Sequence, residues 1–262
     1  MNLDLTDKRA LVCGSTQGIG KAIAIELAQL GAHVTLLARN EEKLQQTVQE
    51  LDSSKGQQHD YLIADFASPS DVMLKLEVYL KQQEVIHILV NNTGGPAGGP
   101  ITDARPEEFL NAFNMHLINN HTLAQAVIPL MKSAGYGRII NIISTSVKQP
   151  LHGLGVSNTI RGAVASWAKT MANELGVFGI TVNNVLPGAT RTGRLESIIE
   201  NKAKKNGVSI DSTEEEMVAE IPARRFADPE EVAAAAAFLA TPAAAYINGI
   251  NVPVDGGRTG CL

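Results

Sequence analysis

Gly14-Ser15-Thr16-Gln17-Gly18-Ile19-Gly20 follows a short apolar run, Arg9 to Cys13, and leads into a segment of helical spacing, Ile19 to Leu30. Glycine is needed where a backbone turns tightly, and it lets main-chain amides come close to an anion. At the start of a helix those amides have no intrahelical partner, and the helix dipole adds to their pull on negative charge. A glycine-rich turn alone is weak evidence. Placed between a strand and a helix in a first βα unit, it reads as a pyrophosphate cradle. The bland alternative is three glycines that serve only close packing of helix on strand.

Outward from this turn, short β-branched or apolar runs recur at His33 to Ala38, Tyr61 to Ala64, Ile86 to Val90, Arg138 to Ile143, Ile180 to Val185 and Gly249 to Val254. Each reads as a strand buried on both faces. Between them, Glu41 to Leu51, Pro69 to Lys81, Pro106 to Met131, Ser157 to Phe178 and Pro229 to Leu239 have helical spacing. Ser68-Pro69-Ser70-Asp71 and Asp228-Pro229-Glu230-Glu231 add start signals, each a capping side chain, a first-turn proline and an acidic third residue. Strand-helix alternation throughout implies an α/β fold, a single-domain, Rossmann-like, doubly wound parallel sheet of about seven strands over residues 1–262. From Thr190 to Glu220 the rhythm lapses into a charged excursion. It reads either as a solvated surface helix pair or as a mobile lid over a substrate pocket.

The 262 residues carry 22 Lys and Arg against 27 Asp and Glu, a formal charge of −5. Nucleic acid or an anionic membrane would call for a concentrated basic face, so small molecules or proteins are the expected partners. Cys13 and Cys261 are too few for a disulfide framework and lack metal-ligand spacing, which points to a reducing, cytoplasmic setting and no metal. The longest apolar stretch, Val232 to Ala240, falls short of the ~20 residues a membrane span needs. Met1-Asn2-Leu3-Asp4-Leu5 has neither the basic nor the apolar region of a signal peptide, so no export by that route is expected.

The G-x-x-x-G-x-G spacing, together with later motifs, resembles the short-chain dehydrogenase/reductase family. Asn91-Asn92-Thr93-Gly94 is similar to its N-N-A-G element, with Thr93 at the alanine. Asn141-Ile142-Ile143-Ser144 ends where the family's serine stands, and Pro187-Gly188-Ala189-Thr190-Arg191-Thr192 follows the sixth strand. Tyr246-Ile247-Asn248-Gly249 and Asp255-Gly256-Gly257 match the tail. The likeness is strongest to members described as 3-oxoacyl-carrier-protein reductases.

A dinucleotide with a free ribose is marked by an acidic residue ending the second strand. Here Ala38 holds that position and Arg39 follows, suited to a 2′-phosphate through charge-assisted bonds, with Ser15 adding a hydroxyl. The expected cofactor is NADP(H). The alternative for Arg39 is an exposed pair with Glu42. The cradle itself comprises Gly14, Ser15, Gln17, Gly18, Ile19 and Gly20. The resemblance further implies Asp65 near the adenine amino group with Phe66 beside it, Asn91 near the adenosine ribose, Thr192 and Ala189 near the nicotinamide carboxamide, and Thr93, Gly94, Pro187 and Gly188 as further cofactor-binding residues.

In this family a serine orients the carbonyl, a tyrosine moves the proton, a lysine lowers that tyrosine's pKa and an asparagine supports a water relay. The resemblance puts Ser144 and Asn114 in the first and last roles. Thirteen residues past Ser144, where Y-x-x-x-K is expected, stands Ser157-Asn158-Thr159-Ile160-Arg161. Gly162-Ala163-Val164 and Leu175 to Asn183 hold the register. An aliphatic hydroxyl is far less acidic than a phenol of pKa about 10. Arg161 keeps the positive charge and can still hold the nicotinamide ribose, although its fork is not an ammonium. Tyr61, Tyr79, Tyr136 and Tyr246 lie in the wrong places to stand in. His152, between Ser144 and Ser157, is a candidate acid because its pKa suits neutral pH, against a plain surface role. His116 is expected to point away if Asn114 points in. Ser144 itself and a bound water are the remaining rivals; Lys148 is nearby too, with a solvated lysine as its default reading.

The expectation is an NADP(H)-dependent reductase acting on a ketone or alcohol, including 3-oxoacyl thioesters, with an atypical tetrad. The rival is a cofactor-binding sensor or subunit with little turnover. The resemblance also implies a homotetramer.

Overall fold

The computed structural model describes residues 1–261. Seven strands, β1 (Arg9–Cys13), β2 (His33–Ala38), β3 (Asp60–Ile63), β4 (Ile88–Asn91), β5 (Gly137–Ile142), β6 (Ile180–Pro187) and β7 (Asn251–Val254), form one sheet. Its order is β3-β2-β1-β4-β5-β6-β7 and every pairing is parallel. This is a single-domain, Rossmann-like α/β fold. Strand order reverses between β1 and β4, so a crevice opens outside their carboxyl ends, where open α/β sheets take ligands.

The helices are α1 (Gly18–Gln29), α2 (Glu41–Gln49), α3 (Pro69–Leu80), α4 (Pro106–Phe113), α5 (Asn119–Ala134), α6 (Gly155–Leu175), α7 (Gly193–Asn206), α8 (Ile210–Ala219) and α9 (Pro229–Ala240). Side chains alternate across a strand, and both faces are covered. Ala10 and Val12 of β1 pack in a core with α1, α2 and α9, while Leu11 and Cys13 pack with α3, α5 and α6. Burial on both faces holds for the inner strands. It fails for β3 and β7, which lie at the sheet edges and have no fully buried residue.

Two local expectations are corrected. The segment Pro106 to Met131 is two helices joined by a wide π turn, Asn114–Ile118, in which the Asn119 amide reaches back to the Asn114 carbonyl. Ser68 does not cap α3; instead the Asp71 carboxylate accepts from the Asp65 amide at 3.2 Å. The helix still begins at Pro69. At α9, Glu231 accepts from the Asp228 amide at 2.9 Å and pairs with Arg225 at 2.5 Å.

The charged excursion forms a helix pair. Helices α7 and α8 bury Leu195, Ile199 and Met217 with Ile221 and Phe226, and Lys202 meets Glu216 at 3.2 Å. No helix among the described residues is long and apolar enough to cross a membrane.

Candidate active site

The turn after β1 is held by steric necessity. Gly14 has φ +58°, and a Cβ there would lie 2.7 Å from the Asn92 carbonyl oxygen. A Cβ on Gly20 would come within 2.2 Å of the Gly14 carbonyl oxygen. The packing role of the glycines is therefore real. The turn also fits an anion. Helix α1 starts at Gly18 with no side-chain cap from Gln17 and no acidic residue in its first turn, leaving amides unsatisfied. Ser15 Oγ is buried without a partner. Asn92, absent from the expected site, donates to the carbonyls of Cys13 at 3.3 Å and Gly14 at 3.2 Å and fastens the turn to β4. The N-N-T-G element was the signal for it.

Around this turn, Thr192 lies over Gly18, its Cγ2 3.0 Å from where a Cβ would sit, and its hydroxyl accepts from the Leu195 amide at the start of α7. Pro187, Gly188 and Ala189 are half-buried at the end of β6. Arg39 is exposed at the end of β2. Among the described residues it has no ion-pair partner, so the expected alternative pair with Glu42 is not formed. Asp65 accepts from the Ala67 amide at 3.0 Å. Thr93 is half-buried and Gly94 exposed.

Two residues behave differently from expectation. The Phe66 side chain is buried in the core with Val72 and Leu123, which leaves its main chain as the part near the crevice. The Asn91 side chain is buried and donates to Asn141 Oδ1 at 2.8 Å. Asn141 donates to Asn184 at 2.9 Å, and Asn184 to Asn251 at 2.8 Å. These four asparagines are register partners across β4 to β7, so the Asn91 side chain belongs to a buried amide ladder.

On the β5 side, Ser144 is half-buried just past the strand end, and its hydroxyl accepts from the Ser146 amide at 3.1 Å. Ser157 and Arg161, both on α6, are buried. Arg161 Nη1 donates to the Ile142 carbonyl at 3.0 Å, which brings the guanidinium to the strand that carries Ser144. Burial, and then the nearby Arg194, pull its pKa down to about 10; it remains a cation at neutral pH.

The π turn carries two residues of opposite exposure. Asn114 is exposed, whereas His116 is buried at 2 % exposure. Its Nε2 has no partner. Burial, and then the charge of Arg161, lower its pKa to about 2, so it is a neutral imidazole. The wide turn was not legible in the spacing, and so neither was His116. Arg194, inside the charged excursion, was also missed. It is half-buried and donates to the Pro96 carbonyl at 2.6 Å.

His152 is exposed in its turn. The tyrosines are engaged elsewhere: Tyr61 with Glu41, Tyr79 with Thr35, and Tyr136 with the Ala240 carbonyl, while Tyr246 is fully exposed.

A glycine turn at the strand-order reversal, faced by a strand-end serine, defines a nucleotide-binding oxidoreductase architecture. The family model described as enoyl-(acyl carrier protein) reductase matches residues 14–259, and the chain belongs to this short-chain dehydrogenase/reductase family. The 3-oxoacyl-[acyl-carrier-protein] reductase of Vibrio cholerae is 33 % identical over 97 % of this chain and 98 % of its own. The L-sorbose reductase of Gluconobacter frateurii, solved with NADPH and L-sorbose, superposes with a TM-score of 0.92 at 31 % identity over the full length of both. A gluconate 5-dehydrogenase of Burkholderia cenocepacia, solved with NADP and tartrate, gives 0.88 at 29 % identity over 100 % of this chain and 98 % of its own.

Proposed function

We propose that this chain is an NADP(H)-dependent oxidoreductase that passes hydride between nicotinamide and a ketone or alcohol with an altered proton-handling apparatus. The observation that carries the reading is the uncapped glycine turn paired with an unpartnered Arg39, where Ala38 replaces an acid. The coenzymes present in the sorbose reductase and gluconate dehydrogenase structures support the same choice. When bound, the coenzyme supplies or accepts the hydride.

Amides from Gly14 to Gly20, including those of Ser15, Gln17 and Ile19, hold the pyrophosphate. Arg39 and Ser15 take the 2′-phosphate. Asp65 and the Phe66 main chain border the adenine, and the main chain of Asn91, Thr93 and Gly94 borders the ribose. Pro187, Gly188, Ala189 and Thr192 face the carboxamide. Ser144 donates to the carbonyl oxygen, and Arg161 supplies positive charge beside it. Ser157 is not acidic enough to serve as the phenol does, so the proton comes from water or from His152. Asn114, exposed at the start of the π turn, supports the water relay.

The paired Ser157 and Arg161 favour a second reading, a cofactor-binding subunit with little turnover. The double variant Ser157→Tyr with Arg161→Lys separates them. NADPH oxidation is followed with a panel of ketones and 3-oxoacyl thioesters. A slow but measurable parent, raised by about 100-fold or more, is expected. A parent at zero with activity only in the variant establishes the second reading. Failure of calorimetry to detect either coenzyme form ends both.

We assign the same chain to a homotetramer in the cytoplasm. Leu110 and Phe113 of α4 are exposed along an open groove of about 640 Å³, and Val177, Phe178, Tyr246 and Ile250 are exposed toward the β7 edge. Light scattering on the purified protein tests the oligomeric state.

A further inference from the structure

Beyond β4 the crevice holds two guanidinium groups, and among the described residues neither has a carboxylate within ion-pair distance. Arg161 is 8 % exposed and Arg194 half-buried. A Cβ on Gly95 would lie 3.6 Å from Arg194 Nε, 3.7 Å from Arg194 Nη2 and 3.8 Å from Arg161 Nη2. Both groups therefore border the one space that the missing Gly95 side chain leaves open. A guanidinium has five N–H donors, and each of these two gives one bond to a main-chain carbonyl, Ile142 or Pro96. The buried, unpartnered Nε2 of His116 lies under the influence of Arg161.

Buried like charges without a counter-ion are unfavourable. Surplus donors and surplus charge around one gap match an oxyanion, and a forked guanidinium matches a carboxylate. The pyrophosphate is served by main-chain amides on the β1 side. The arginine pair sits on the β4–β5 side, Arg161 anchored to Ile142, two residues before Ser144, and Arg194 to Pro96, just past β4.

We infer that Arg161 and Arg194 hold a carboxylate of the substrate across Gly95, so that the protein acts on oxo acids or hydroxy acids whose carboxylate lies near the reacting carbon. Assigning the anion to the substrate rests on the oxidoreductase reading; the anion site itself does not.

Malonate, an unreactive dicarboxylate, is titrated calorimetrically into the protein with and without saturating NADP⁺, and inorganic phosphate is titrated in parallel. Malonate is expected to bind the NADP⁺-loaded protein one to one, and more tightly than phosphate. Arg194→Gln is expected to weaken it by about tenfold or more, with Arg194→Lys retaining part of the affinity. Gly95→Ala places its methyl at ordinary contact distance from both guanidinium groups, and it is expected to weaken malonate without disturbing the fold. NADP⁺ affinity is expected to stay within about threefold in each variant, well inside the loss expected for malonate. Absent malonate binding, or binding unchanged in Arg194→Gln and Gly95→Ala, overturns the proposal. So does tighter phosphate binding, displacement of malonate by NADP⁺, or a loss of NADP⁺ affinity as large as that of malonate, since each gives the arginines to cofactor phosphates. If NADP⁺ does not bind while malonate still depends on Arg194 and Gly95, the site stands and the hydride reading falls.

Discussion

On the β1 side of the crevice the groups we assign to a ligand are main-chain amides, and Gly14 and Gly20, which shape that turn, have no room for a side chain. On the β5 side they are side chains, Ser144 just past the strand end and Ser157 and Arg161 on α6, at positions that accept other residues. A backbone site persists only if its steric conditions are kept. A side-chain site can change its chemistry while the scaffold stays. In the function proposed above, the first half keeps the family pattern and the second departs from it at Ser157 and Arg161.

The strongest way to break this contrast is Gly20→Ala. Its methyl would meet the Gly14 carbonyl oxygen at 2.2 Å, a backbone atom that cannot swing aside. A loss of about 3 kcal/mol in urea unfolding is expected, with loss of NADP⁺ binding by calorimetry. Ser157→Ala, at a side-chain position, is expected to leave both nearly unchanged. A stable, cofactor-binding Gly20→Ala variant would show that the turn is not sterically determined.

Next in size is the amide ladder that floors the β5 side. Asn141 both accepts from Asn91 and donates to Asn184. Asn141→Ala leaves an unpaired buried donor and an unpaired buried acceptor, which costs about 2 kcal/mol. Chemical denaturation measures it. A loss no greater than that of an exposed asparagine such as Asn114→Ala would remove the ladder from the account.

The neutral His116 gives the β5 side a pH signature. Its folded pKa, held near 2, lies below the ordinary histidine value of 6.5. It therefore contributes stability that is full above pH 6.5 and is lost as pH falls from there toward 2, by about 1.4 kcal/mol per pH unit. His116→Asn is expected to flatten that slope between pH 6.5 and 4, whatever it does to stability at pH 7. Parallel slopes for parent and variant would mean that the imidazole is already accessible to protons.

Legibility in the sequence followed the same division. Strands β1 and β2 and the starts of α3 and α9 came out at their true residues, because burial on both faces and first-turn prolines leave local marks. The glycine turn was legible because its steric demand is written in residue type. His116 was not, since a π turn of five residues leaves no periodic trace and a regular count puts Asn114 inward. The Asn91–Asn251 ladder joins residues 160 positions apart by register alone, which no local pattern contains. Arg194 looked like one more charge in a polar stretch until the fold set it against Gly95.

The smallest effect concerns Arg39, the charged side chain on which the β1 half relies. It is exposed and lacks an ion-pair partner among the described residues, so Arg39→Gln removes no internal bond and thermal stability is expected to hold. A charge-assisted bond to a 2′-phosphate is made only with the phosphorylated coenzyme. NADPH affinity is therefore expected to fall by about tenfold, while NADH affinity stays constant. Fluorescence titration with both coenzymes measures the two constants in one experiment. Equal losses would place Arg39 against a group that both coenzymes share. No loss in either would leave Ser15 and the amides to hold the 2′-phosphate, and the β1 half would then select its ligand through the turn alone.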